Sequence, residues 1–170
     1  MRNNNAEPFV FDRREFRDER GFFSELYSAR TDLLHHNLRF VQQNFSCSKP
    51  GVLRGLHFQK MDPQSKLVTV LSGRIFDVAV DLRPYSKNFG LSYCFDLRAD
   101  IPRSVFIPRG FAHGFYSFGE VDAWVHYSVD AYRNTDSEMS LLWNDYALNI
   151  DWPIREELPL VISEKDAMGE

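Results

Sequence analysis

The sequence predicts an all-β fold, a barrel or a sandwich of short strands, and three observations carry that expectation. Apolar residues recur mostly with period two, in short runs. The runs are broken by Gly, Pro, Asp and Ser, and few stretches show the wider spacing of a helix. Aromatic residues make up 15% of the chain, with 15 Phe and 7 Tyr, side chains that suit strands and flat pockets. At 170 residues, 44% hydrophobic and 26% charged, the chain is long enough to close one core without disulfide or metal staples, so residues 1–170 are read as one domain.

In chain order, Thr31–Leu38 is expected to be a helix, because Leu34 and Leu38 stand one turn apart, and Arg39–Ser46 a strand. Leu67–Arg83, with Lys66 before it, reads as two strands folded at Ser72-Gly73. In the second arm Phe76, Val78, Val80 and Leu82 share one face, and Ile75, Asp77, Ala79, Asp81 and Arg83 share the other. Two acids on one face mean solvent or a polar lumen. Further strands are expected at Leu91–Leu97, Ser104–Ile107 and Ala123–Val129, with Pro102, Pro108 and Gly110 as punctuation. Near the C-terminus Ser163 can cap a short helix, and Asp166 completes a Ser-x-x-acid capping pattern.

Composition also removes partners. Net charge is −4 with no long run of Lys and Arg, which argues against nucleic acid. No window approaches the roughly 20 apolar residues that span a bilayer. Cys47 and Cys94 can form at most one bridge, and the N-terminal MRNNNAEPF has no apolar stretch of signal-peptide type. A cytoplasmic protein with free thiols and no membrane association is expected.

Pro108-Arg109-Gly110-Phe111-Ala112-His113 fits Pro-x-Gly-x-x-His and resembles the second cupin motif, which sends a histidine into a β-barrel. A metal cupin adds His-x-His and then Glu in its first motif, so that three more ligands meet the later histidine on one ion. Here that stretch reads Gly55-Leu56-His57-Phe58-Gln59, with one histidine and no following acid except Asp62. The expectation is therefore a cupin-type β-barrel, a jelly roll with a few short helices, that uses no metal. His113 alone would be read as a core histidine. Two histidines at one barrel mouth point instead to a site.

A second resemblance covers nearly the whole chain. The segments Asp18–Glu25, Phe40–Asn44, Val52–Gln59, Lys66–Val68, Phe76–Asp81, Ile107–Phe115, Trp143–Asp145, Trp152-Pro153 and Ser163–Asp166 resemble, in order, the dTDP-4-dehydrorhamnose 3,5-epimerase family. The resemblance implies cofactor-free inversion of C3 and C5 of dTDP-4-dehydro-6-deoxy-D-glucose to give dTDP-4-dehydro-L-rhamnose. Such chemistry needs a base, an acid on the other face of the sugar, and a cation or hydrogen-bond donor at the enolate oxygen. By resemblance His57 is the base, Asp166 fixes its tautomer, Tyr127 is the acid and Lys66 steadies the enolate. Asp77 and His113 would line the same cavity. Arg54 and Arg20 would hold the diphosphate, Gln42 and Asn44 would make polar contacts to nucleotide and sugar, and Tyr132 would stack on thymine. In the family the Arg20 segment, with Phe23 and Glu25, comes from a neighbouring subunit, which implies a homodimer with an exchanged N-terminal strand.

Read without the family, these residues have plainer roles. Asp166 would be a helix cap, Lys66 an exposed charge at a strand start, Tyr127 a packing residue, and Asp18-Glu19-Arg20-Gly21 a charged hairpin turn. After Tyr132 the chain runs Arg133-Asn134-Thr135, where family members commonly carry proline. The competing functions are a mono-epimerase of C3 or C5 on a related dTDP-4-keto-deoxysugar, a metal-dependent cupin, and a sugar-binding cupin.

Overall fold

The computed structural model describes residues 6–28 and 38–169. The helix expected at Thr31–Leu38 therefore lies outside the described residues, apart from its last position. Among the described residues the strands are β1 (Phe9–Asp12), β2 (Glu15–Asp18), β3 (Gly21–Ser24), β4 (Gln42–Ser48), β5 (Leu53–Gln59), β6 (Lys66–Ser72), β7 (Arg74–Asp81), β8 (Ser92–Arg98), β9 (Arg103–Ile107), β10 (Phe111–Ser117), β11 (Ala123–Val129) and β12 (Glu138–Ser140), followed by the helix α1 (Glu164–Met168). Two five-stranded antiparallel sheets, ordered β1-β9-β6-β11-β4 and β12-β5-β10-β7-β8, form the barrel wall. Among the described residues the hairpin β2-β3 pairs only with itself.

The expected strands are present with small shifts. The Ser72-Gly73 turn separates β6 from β7, and the strand expected at Arg39–Ser46 runs Gln42–Ser48 instead. β10 was not marked by alternation because all seven of its residues are buried, which erases period two. The two apolar faces of β7 enter different cores. Ile75 and Ala79 join Val68, Val105, Phe111 and Val125 between the sheets. Val78 and Val80 join Leu56 and Ala112 on the outer face of the second sheet, beneath Leu141, Leu148, Ile150 and Trp152. That cover is fixed where the Trp152 indole N–H donates to the Trp143 carbonyl at 2.9 Å. The acids of β7 thus face the interior, where Asp77 and Asp81 are both fully buried. The polar lumen is the correct alternative, and solvent is not.

The C-terminal segment is tied back to the barrel as well. The segment near Val161 bridges in parallel to Val52, with the Leu53 N–H donating to the Val161 carbonyl at 2.9 Å. This attachment carries α1 to the barrel. Ser163 caps the helix as expected, its hydroxyl accepting from the Asp166 N–H at 3.1 Å. Cys47 and Cys94 are both free and exposed. Among the described residues no helix is long and apolar enough to cross a membrane.

One close approach sets the geometry of the interior. Where β5 meets β10 the register shifts between His113 and Phe115, and Gly55 lies back to back with Gly114. A Cβ on Gly114 would come 2.5 Å from the Arg54 carbonyl oxygen and 2.9 Å from Gly55 Cα. Immediately beside this contact His57 and His113 are cross-strand partners. Gly114→Ala is therefore expected to lower stability by about 2 kcal/mol or more in urea unfolding, because backbone must move to admit the methyl. An unchanged unfolding midpoint would mean that the two strands can separate without penalty.

Candidate active site

The cavity beside these glycines measures about 290 Å³ and is walled by both sheets. Asn44 and Ser46 of β4, Lys66 of β6 and Tyr127 of β11 enter from the first sheet. Arg54, His57 and Gln59 of β5, His113 and Phe115 of β10, and Glu138 of β12 enter from the second. Arg133, in the loop between β11 and β12, completes the rim.

Two histidines each meet a carboxylate. His57 Nε2 lies 2.7 Å from Asp166 Oδ1, with the imidazole one-third exposed and the carboxylate buried. The other carboxylate oxygen accepts from the Gly55 N–H at 3.2 Å. Helix cap and histidine partner are thus not alternatives for Asp166. Its N–H serves the cap, and its side chain turns away from the capping box to reach β5. Burial, the largest single influence, pushes the Asp166 carboxyl up, yet the His57 hydrogen bond and charge, the Gly55 N–H and Ser163 together hold it below its usual value. His113 Nε2 lies 2.7 Å from Asp77 Oδ1, and both side chains are buried. Among the described residues Asp77 Oδ2 has no hydrogen-bond partner. Among the described residues no three His, Cys, Asp or Glu side chains converge as a metal-binding group.

Lys66 is not the exposed charge that its place at a strand start would suggest. It pairs across the sheet with Val129 and Ile107, and its ammonium is drawn into the cavity although the residue keeps some solvent contact. Burial pushes its pKa down to about 8, against the pull of Asp130, Glu138 and Asp77 in the other direction. Asp130 is itself pinned, accepting from the Ser65 N–H at 2.6 Å and from Arg109 Nε at 2.9 Å. Tyr127 sits between Asn44 of β4 and Val68 of β6. Burial raises its phenol above the ordinary tyrosine value, while Arg133 and Arg54 pull it down and Glu138 adds to the rise.

The remaining sequence candidates divide. Arg54 and Asn44 line the cavity, and Arg54 Nε donates to the Ser48 hydroxyl at 2.9 Å. Gln42 stands behind that wall, donating to Asn44 Oδ1 at 2.8 Å and accepting from the Arg133 N–H at 3.2 Å. Arg20, Phe23 and Glu25 are not brought to the cavity of their own chain. Arg20 lies at the turn of the β2-β3 hairpin, paired at 2.5 Å with Asp18, so the charged-turn reading describes this segment within one chain. Phe23 and Glu25 are exposed, and the Tyr132 ring is 70% exposed outside the cavity wall. Sequence reasoning missed Ser46, Gln59, Arg133 and Glu138. Ser46 could have been found, because it alternates with the inward-facing Gln42, Asn44 and Ser48. Glu138 belongs to a three-residue strand, too short to show a period.

The sequence model described as dTDP-4-dehydrorhamnose 3,5-epimerase matches residues 4–170. The chain belongs to this family. The dTDP-4-dehydrorhamnose 3,5-epimerase of Salmonella typhimurium is 45% identical over 161 residues, 93% of this chain and 86% of its own. The Legionella pneumophila epimerase crystallised with dTDP-4-keto-L-rhamnose superposes with a TM-score of 0.92 at 42% identity, covering 99% of this chain and 89% of its own. A 3′-monoepimerase from Streptomyces bikiniensis shares the fold, with a TM-score of 0.88 at 24% identity over 99% of this chain and 85% of its own. The cupin-type barrel expected from the sequence is therefore the family fold, and this dTDP-4-dehydrorhamnose 3,5-epimerase family member is an enzyme of the epimerase class.

The buried lysine gives a stability prediction. Because its pKa falls from 10.5 to about 8 on folding, the unfolded chain binds more protons between those values, and stability attributable to Lys66 rises with pH across that window. Below about pH 8 the buried ammonium is a cost. Lys66→Met should therefore stabilise the protein at pH 7, on the order of 1–2 kcal/mol once solvent contact is discounted, and the gain should shrink between pH 8 and 10.5. Thermal unfolding of both proteins across pH measures this, and a variant less stable at pH 7 would mean that the ammonium is well solvated or strongly paired.

Proposed function

We propose that the protein inverts C3 and C5 of dTDP-4-dehydro-6-deoxy-D-glucose to give dTDP-4-dehydro-L-rhamnose. The observation that carries this reading is that His57, backed by Asp166, and Tyr127, beside Lys66, come from different sheets and line one cavity. A base and an acid set on separate walls can address the two faces of one sugar ring. Both C3 and C5 neighbour the C4 ketone, so a single group at the ketone oxygen serves both inversions. His57 removes a proton from the carbon beside the ketone, and the electron pair moves onto the oxygen as an enolate. The Lys66 ammonium, drawn into the cavity wall, stabilises that charge. Tyr127 returns a proton from the opposite face, and solvent exchange resets both groups. With its Nε2 proton donated to Asp166, neutral His57 carries its lone pair on Nδ1, and the carboxylate stabilises the imidazolium that forms.

We further infer a single catalytic domain that works as a homodimer, in which the β2-β3 hairpin completes a neighbouring cavity. The hairpin pairs with neither sheet of its own chain, and Phe16, Phe22 and Phe23 on it are exposed. Arg20 would then meet the diphosphate of a ligand held by the partner. Sedimentation should give a dimer at working concentration, and a fully active monomer would remove this part of the reading.

Incubation of the substrate with the enzyme in heavy water should place deuterium at both C3 and C5, read by NMR of the sugar. Label at one carbon would make the protein a mono-epimerase, and no label with dTDP still bound would point to another sugar. His57→Ala should keep dTDP affinity while turnover falls by about 10²–10⁴-fold. Turnover of the native enzyme should decline above about pH 8 as Lys66 loses its proton. A rate that stays level to pH 10 would separate Lys66 from the enolate.

A further inference from the structure

We propose that Arg133 is a second diphosphate-binding guanidinium of the cavity, held by Glu138 in the unliganded protein and transferred to the nucleotide on binding. The proposal rests on the nucleotide-sugar reading above and adds a ligand to Arg54, which the family resemblance implies, and to Arg20 of a neighbouring chain. Arg133, in the loop between β11 and β12, places a cation on the cavity rim.

The residue is built as an anchored arm. Its N–H donates to Gln42 Oε1 at 3.2 Å, and the N–H of Asn134 donates to Gln59 Oε1 at 3.0 Å, so two side-chain amides fix the backbone. The side chain beyond this anchor is 61% exposed. Its Nε and one terminal nitrogen both reach the same Glu138 oxygen, each at 2.8 Å. Two donors on one oxygen forgo the two-oxygen fork that a guanidinium makes best, and a phosphate group offers that fork. The guanidinium end of this pair is exposed while the carboxylate is 14% exposed, so the arginine can turn to an arriving anion without leaving solvent.

Depth in the cavity selects the diphosphate over the sugar. The reacting ring has to reach Lys66, His57 and the buried His113. The phosphates must then lie nearer the mouth, where the largely exposed Arg133 stands. Arg54, also exposed, lines the same cavity, so two guanidiniums can face one ligand there. A protein of net charge −4 needs such local cations to hold an anionic ligand.

Calorimetric titration with dTDP and with thymidine tests the assignment. Arg133→Gln should weaken dTDP binding by about tenfold or more and reduce its salt dependence, with thymidine affinity unchanged. Arg133→Lys, which keeps the charge and loses the fork, should fall between the two. Thermal unfolding of Arg133→Gln close to that of the native protein would confirm that the loss is local. Native-like dTDP affinity in Arg133→Gln, or equal losses of dTDP and thymidine, would overturn the proposal. Failure of the native protein itself to bind dTDP would instead overturn the nucleotide-sugar reading.

Discussion

The contact between Gly55 and Gly114 is the constraint on which the interior depends. Two backbones without side chains between them let β5 and β10 approach closely, and the register shift at that point turns His57 and His113 toward one space. Any larger residue would separate the strands and move both imidazoles. The same contact aligns the Gly55 N–H with Asp166, so the glycine that permits the approach also helps hold the carboxylate behind His57. Backbone sterics at one crossing therefore fix the positions of groups contributed from distant parts of the sequence.

Each buried acid inside the barrel is met by its own local hydrogen-bond partners. Asp166 is offset by His57 and backbone donors, Asp77 by His113, and Asp130 by Arg109 and the Ser65 N–H. Each of these acids is buried, where a polar group without a hydrogen bond is costly. Lys66 receives less direct compensation. It sits among these acids without a short ion pair to any of them among the described contacts, and this leaves its ammonium easier to deprotonate and open to a ligand.

Much of this was legible in the sequence, for identifiable reasons. Period-two runs are easiest to read in β4, whose residues alternate between covered and exposed faces, whereas β10 is buried throughout and shows no pattern. The ambiguity of the two acids on β7 arose because alternation says which residues share a face and not what that face meets. Lys66 and Tyr127 read alone as a surface charge and a packing residue, since desolvation by strands far away in sequence leaves no local mark. Asp166 was read as either a cap or a histidine partner, and its main-chain and side-chain atoms divide those tasks. Arg133 and Glu138 lay in a loop and a very short strand, where no periodicity exists to read.

The outer cover of the second sheet has a consequence for how the enzyme ages and fails. The segment that seals that sheet with Leu141, Leu148, Ile150 and Trp152 leads through the Val161 bridge to Asp166. Transient peeling of this strap would leave both sheets closed while His57 loses its orienting carboxylate. On the roles proposed for His57 and Asp166, catalytic competence then reports on the attachment of a peripheral layer, and heat or proteolysis acting on that layer would silence the enzyme while its barrel is still folded.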